Sequence, residues 1–201
     1  MKIKALLLSI AVLLLVGCNQ KQNNETETKP ESNIETKTEV NKENDTKDED
    51  DIANKKINFK SSDLKINEYK FADGTTEQEK KEYTSTMNEL FPYGVEWQVK
   101  LYNDEISADE YKWSEETIKD LKSTNEQLHK KISEIISYLK SEGFYPNLNS
   151  STCQIFVNEN EIQGVVVYTT WISDTDKTVN NFEVHIAPDK SIIVAGIKSV
   201  E

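Results

Sequence analysis

The chain has no arginine; all 24 of its basic residues are lysines. Arginine supplies the planar fork that grips phosphate and carboxylate groups in pairs, so recognition of that kind is disfavoured from the outset. Cysteine is scarce, with two residues in 201, which rules out a disulfide-stapled scaffold. Six glycines are too few and too scattered to form a phosphate-cradling loop, and no Ser-centred nucleophile elbow is present. Positive charge is also short: 36 acidic residues leave a net charge of −12. Such a chain repels nucleic-acid backbones and anionic headgroups, so no nucleic-acid partner is expected. No apolar run reaches the roughly 20 residues that a membrane-spanning helix needs.

What is present begins at the N-terminus. Lys2 and Lys4 precede an apolar run from Ala5 to Val16, interrupted only by Ser9. A short basic flank and an apolar run of that length match the first two regions of a secretory signal. The run closes on Leu15-Val16-Gly17-Cys18. This stretch of about eighteen residues resembles the lipobox-type signal peptide of bacterial lipoproteins. The resemblance implies cleavage of the Gly17–Cys18 bond, with Leu15, Val16 and Gly17 as recognition residues. It also implies a diacylglycerol on the Cys18 thiol and a chain held to membrane lipid on the extracytoplasmic face. Chemically, that position needs a soft thiolate nucleophile, which serine does not provide.

Residues 18–58 change character. Asn, Thr, Glu, Lys and Asp dominate, and the large apolar residues Ile34, Val40, Ile52 and Ile57 stand alone. Such a stretch cannot bury enough surface to offset its chain entropy, so it reads as a polar tether. Its root-mean-square reach is roughly 35 Å. Residues 59–201 read as a single domain.

Within that domain, Leu64, Ile66, Tyr69 and Phe71 suggest an extended segment. Thr75 with Gln78 reads as a capping box opening a helix. Tyr83, Met87, Leu90 and Phe91 share one face of it, and Pro92-Tyr93-Gly94 is expected to end it. Val95, Trp97, Val99 and Leu101 then alternate with polar residues as a half-buried strand does. Ser107 reads as the cap of a short helical turn reaching Trp113. From Ser114, an apolar stripe through Ile118, Leu121, Leu128, Ile132, Ile135 and Leu139 predicts one long helix closed by Gly143. After a loop at Asn147–Ser150, the segments around Cys153–Val157, Gly164–Ile172, Phe182–Ile186 and Ile192–Ile197 read as strands with short connections. The expected fold is α+β: an antiparallel sheet of about four strands packed by one long amphipathic helix, plus a shorter N-terminal helix. Element order alone gives it a cystatin-like or NTF2-like look.

The chemistry-bearing residues are few. Cys153 and His185 are the only nucleophile–base pair, and their strand phases put them on opposite sides of the sheet. His129 falls just off the helix stripe, at its rim. No second histidine stands at a zinc-ligand spacing, so neither metal nor cofactor is expected. Asp174-Thr175-Asp176 fails as a calcium loop, since Val179 and His185 occupy the Gly and Glu positions. Asn125 interrupts the helix stripe and marks either a satisfied amide or a groove between helix and sheet. Tyr102 and Trp113 are further candidates for contacts in that groove.

The residues favour a membrane-anchored lipoprotein carrying a small binding domain for a protein, peptide or cell-envelope component. The alternatives are a small envelope enzyme using Cys153 and His185, and a structural or immunity-type factor that occludes a partner.

Overall fold

In the computed structural model, the described residues are 56–61, 64, 66, 69–159, 161–174 and 180–198. The signal segment, Cys18 and the tether up to residue 55 lie outside them, as does the Thr175–Val179 part of the acidic loop. The fold class is the expected one. Among the described residues, three helices, α1 (Glu77–Tyr102), α2 (Glu115–Asp120) and α3 (Asn125–Ser141), precede four strands: β1 (Phe144–Asn158), β2 (Glu161–Ser173), β3 (Asn180–Ile186) and β4 (Ile192–Lys198). The strands pair antiparallel in the order β1-β2-β3-β4. Short turns allow only that meander.

The helix lengths differ from expectation. α1 runs for 26 residues, straight through Pro92 and over the stretch expected to be a strand. Its cap is Thr76 paired with Glu79, one residue beyond the predicted Thr75–Gln78 box. Proline removes one helical hydrogen bond, a cost of about 3 kcal/mol. Burial on several sides offsets it. Gly94, Val95, Trp97, Gln98, Val99, Leu101 and Tyr102 are all buried, leaving Glu96 and Lys100 as a paired surface strip with N···O 2.8 Å. A helix buried that far round loses its amphipathic signature. The polar members of the apparent alternation, Gln98 and Tyr102, are therefore inside.

The helix predicted from Ser114 is two helices. After α2 the chain closes a Schellman turn. The Ser123 N–H donates to the Ile118 carbonyl at 3.0 Å and the Lys122 N–H to that of Lys119 at 3.1 Å. Lys122 holds the left-handed position, φ 47°. Thr124 and Gln127 then form a new capping box for α3. Gly143, φ 78°, sits just beyond α3 as predicted, and Phe144 and Leu139 are buried in the same core.

Residues 107–112 form turns rather than a helix, although the Ser107 N–H and hydroxyl both donate to Glu110 Oε1 at 2.8 Å, as in a cap. The loop expected at Asn147–Ser150 lies within β1, where the register slips between Asn147 and Thr152.

The N-terminal part of the domain is a strap on α1. Asn103, capping α1, accepts from the Ile57 N–H and donates to its carbonyl, both at 2.9 Å. Lys56 pairs with Glu105, and the Tyr69 hydroxyl donates to Asn88. Leu64 is buried, with Ile57, Phe59, Ile66 and Phe71 packed against the core. Sheet, α3 and strap thus enclose α1.

Candidate functional site

The sheet separates the two residues proposed as a dyad. Cys153, Val167, Val184 and Ala195 lie in cross-strand register on the inner face. Gln154, Val166, His185 and Val194 form the adjacent row on the outer face. Cys153 is fully buried and burial pushes its thiol well up, which keeps it a thiol rather than a nucleophilic thiolate. His185 instead faces Glu183, Nε2 to Oε1 3.8 Å, beside Tyr168 and Lys198, the Lys198 ammonium lying 5.1 Å from the Tyr168 ring centre. The His185 imidazole is the main influence holding the Glu183 carboxyl below its usual range, against burial that raises it.

His129 is drawn inward. Its Nδ1 lies 3.0 Å from the Tyr111 hydroxyl and its Nε2 3.5 Å from Ser133 Oγ. Tyr111 packs edge-on against Trp97 with ring centres 5.3 Å apart, and burial pushes its hydroxyl pKa up. Tyr145, on the outer face, donates to Asp174 at 2.9 Å, and burial with that carboxylate pushes its pKa up to about 12. Among the described residues no group of three His, Cys, Asp or Glu side chains could hold a metal.

The three predicted groove contacts fall in different places. Tyr102 is buried against Trp171, ring centres 5.7 Å apart, with Lys140 over its ring. Asn125 is a brace. Its Oδ1 accepts from the Trp113 N–H at 2.8 Å, and its Nδ2 donates to the carbonyls of Ala108 and Tyr111. Its amide thereby fixes the turn ahead of α2. Trp113 does line a groove.

That groove lies between α2, α3 and the β4 edge. Its walls are Trp113, Leu121, Leu128, Ile132 and Ile135, and its floor is Ile193–Ala195. Asp120 and Lys131 stand at it with opposite charges. Its construction is local. Lys112–Ser114 runs parallel to the start of β4: the Ile192 N–H donates to the Lys112 carbonyl at 2.9 Å, and the Ser114 N–H to the Ile192 carbonyl at 2.8 Å. Ser114 then caps α2, and the Thr117 hydroxyl donates to the Ile193 carbonyl at 2.7 Å. The groove is mostly apolar and carries no assembled acid–base pair, so it suits side-chain burial. Sequence reasoning named a groove between helix and sheet and Trp113 as a contact, but missed the rest of this lining because it depends on the break between α2 and α3, which turns Leu121 and Ile135 toward the strand edge.

No helix among the described residues is long and apolar enough to cross a membrane. Comparison with protein-family models, with curated proteins and with solved structures finds no match.

Proposed function

We propose that the chain is a lipid-anchored lipoprotein of the extracytoplasmic membrane face, and that its α+β domain is a binding module for a protein, peptide or envelope component. The observation that carries the anchor is the apolar run closing on Leu15-Val16-Gly17-Cys18, followed by a long polar stretch. What supports binding is the apolar groove beside β4. The strap joins the domain at the end of α1, through Asn103 and Glu105. Lys56 and Ile57 thus lie at the end holding Tyr102 and Trp171.

Two measurements test the reading. Cys18→Ser is expected to leave the precursor unprocessed or release the protein from membranes; unchanged retention and mature mass in that variant overturn the anchor. Photo-cross-linkers placed in the anchored chain at Ile135, on the groove wall, and at Phe156, a large apolar side chain left exposed on β1, are expected to yield a discrete envelope adduct. Uniform labelling, the same as with an unrelated anchored domain, overturns the module.

A further inference from the structure

We infer that the free edge of β4 docks an extended segment of another protein, laid along Val194–Lys198 as a fifth strand with one apolar side chain in the neighbouring groove. This rests on the binding-module reading and specifies how such a module holds its partner.

The edge itself is the first ground. β4 ends the strand order, so every second residue turns its N–H and C=O away from β3. At Ile192 and Ile193 those groups are satisfied by Lys112, Ser114 and Thr117. Beyond them, no described residue bonds to the outward groups of Val194–Ile197. The chain thus starts a parallel strand addition with its own segment and abandons it where α2 begins.

The second ground is that the middle of β4 lacks protection, although its ends carry a bulge and a lysine. Edge strands are normally blunted by proline, lysine, bulges or cover. The other edge, β1, carries Pro146 and the slip between Asn147 and Thr152. On β4 the extra residue Ile193 and the terminal Lys198 bracket Val194-Ala195-Gly196-Ile197, which has no charge and no proline. Backbone groups give affinity in strand addition, and pockets for alternate side chains give specificity. Here Leu121, Leu128, Ile132 and Ile135 provide such a pocket on the inward side.

Charge selects the occupant. Two copies of a chain carrying −12 repel one another, which disfavours pairing of β4 with β4 of a second copy. The segment that fits is extended, branched and apolar at alternate positions, and neutral or basic.

The probe is a displayed library of random twelve-residue peptides, panned on the whole purified chain in detergent. Enriched peptides are expected to alternate Val, Ile or Thr with neutral or basic residues. The most tightly bound is expected to slow amide exchange within Val194–Lys198. Ile135→Glu, which charges the groove wall, and Val194→Lys, which puts a gatekeeper on the partly exposed edge, are each expected to weaken it at least about tenfold. Far-ultraviolet dichroism and melting temperature confirm that both variants fold. Protection on the outer face around Glu183 and His185, indifference to both variants, self-association through β4, or no enrichment overturns the edge assignment. In each case, a discrete envelope cross-link from the anchored chain leaves the module reading intact, so the two failures are separable.

Discussion

The two faces of the sheet are built from alternate residues of the same four strands, yet they obey different physics. The inner face holds Cys153, Val167, Trp171, Phe182 and Val184, all fully buried. The outer face holds Glu183, His185, Tyr168 and Lys198, where charges meet at the edge of water. Every strand thus sorts its groups by parity, and the reactive groups are sorted with the rest. A thiol placed among apolar side chains is silenced, while an imidazole one residue out of phase finds a carboxylate. The difference teaches that proximity in a sheet is decided by odd and even positions before it is decided by distance.

The largest test of that contrast is truncation of an aromatic on each face. Trp171→Ala is expected to cost about 3–5 kcal/mol in denaturant unfolding, since it opens a cavity beneath Tyr102 and Phe182. Tyr168→Ala, on the outer face, is expected to cost far less; equal losses would mean that the outer face is also sealed. The thiol gives the chemical version. Cys153 in the folded chain is expected to resist a disulfide reagent until the protein unfolds, and stoichiometric labelling under native conditions would break the distinction.

Asn125→Ala follows in size. Its amide serves one backbone donor and two carbonyls, so losing it is expected to cost about 1–3 kcal/mol. It should also loosen Trp113, measurable as a red shift of tryptophan emission. Gly94→Ala comes next. An added Cβ would lie 2.5 Å from Ile186 Cδ1 and 2.8 Å from Val167 Cγ2, both on the inner face. Overpacking of this kind costs about 1–3 kcal/mol, partly offset by alanine's better helix propensity of about 1 kcal/mol. A rise in melting temperature would show that the inner face has slack.

The four strands and the outer location of His185 were legible because the sheet keeps a plain period of two. The helices were less so. Pro92 looked like a stop, and Val95, Trp97, Val99 and Leu101 looked like a strand, because a helix enclosed by sheet, strap and α3 needs no polar face. The boundary between α2 and α3 was invisible for a different reason. With few glycines available, the left-handed positions ending α1 and α2 fall to Asp104, φ 58°, and Lys122, φ 47°. Neither residue announces a turn. Asn125 drew notice as an interruption of a stripe, but its role as a brace depends on Ala108 and Tyr111, whose carbonyls reach it only through the fold. The groove inherits the same opacity, since its walls are set by that unannounced break.

The smallest expected effect sharpens the outer half of the contrast. Glu183 is only 12% exposed and His185 29% exposed, and the carboxyl's pKa is lowered mainly by the imidazole. A carboxyl whose folded pKa lies below its unfolded value adds stability that is present above the unfolded value, near 4.3. That stability is lost as pH falls through the folded value. Because the pair touches water, its worth is about 0.5–1 kcal/mol rather than that of a buried ion pair. Glu183→Gln is therefore expected to melt a few degrees below the parent at about pH 5.5, above the ordinary carboxyl range. The gap should close toward about pH 2.5, where both chains carry a neutral side chain at this position. A gap that stays constant across that range would assign the loss to packing and not to charge. His185→Gln should remove the same pH-dependent increment while leaving Cys153 as unreactive as before, because the sheet lies between them.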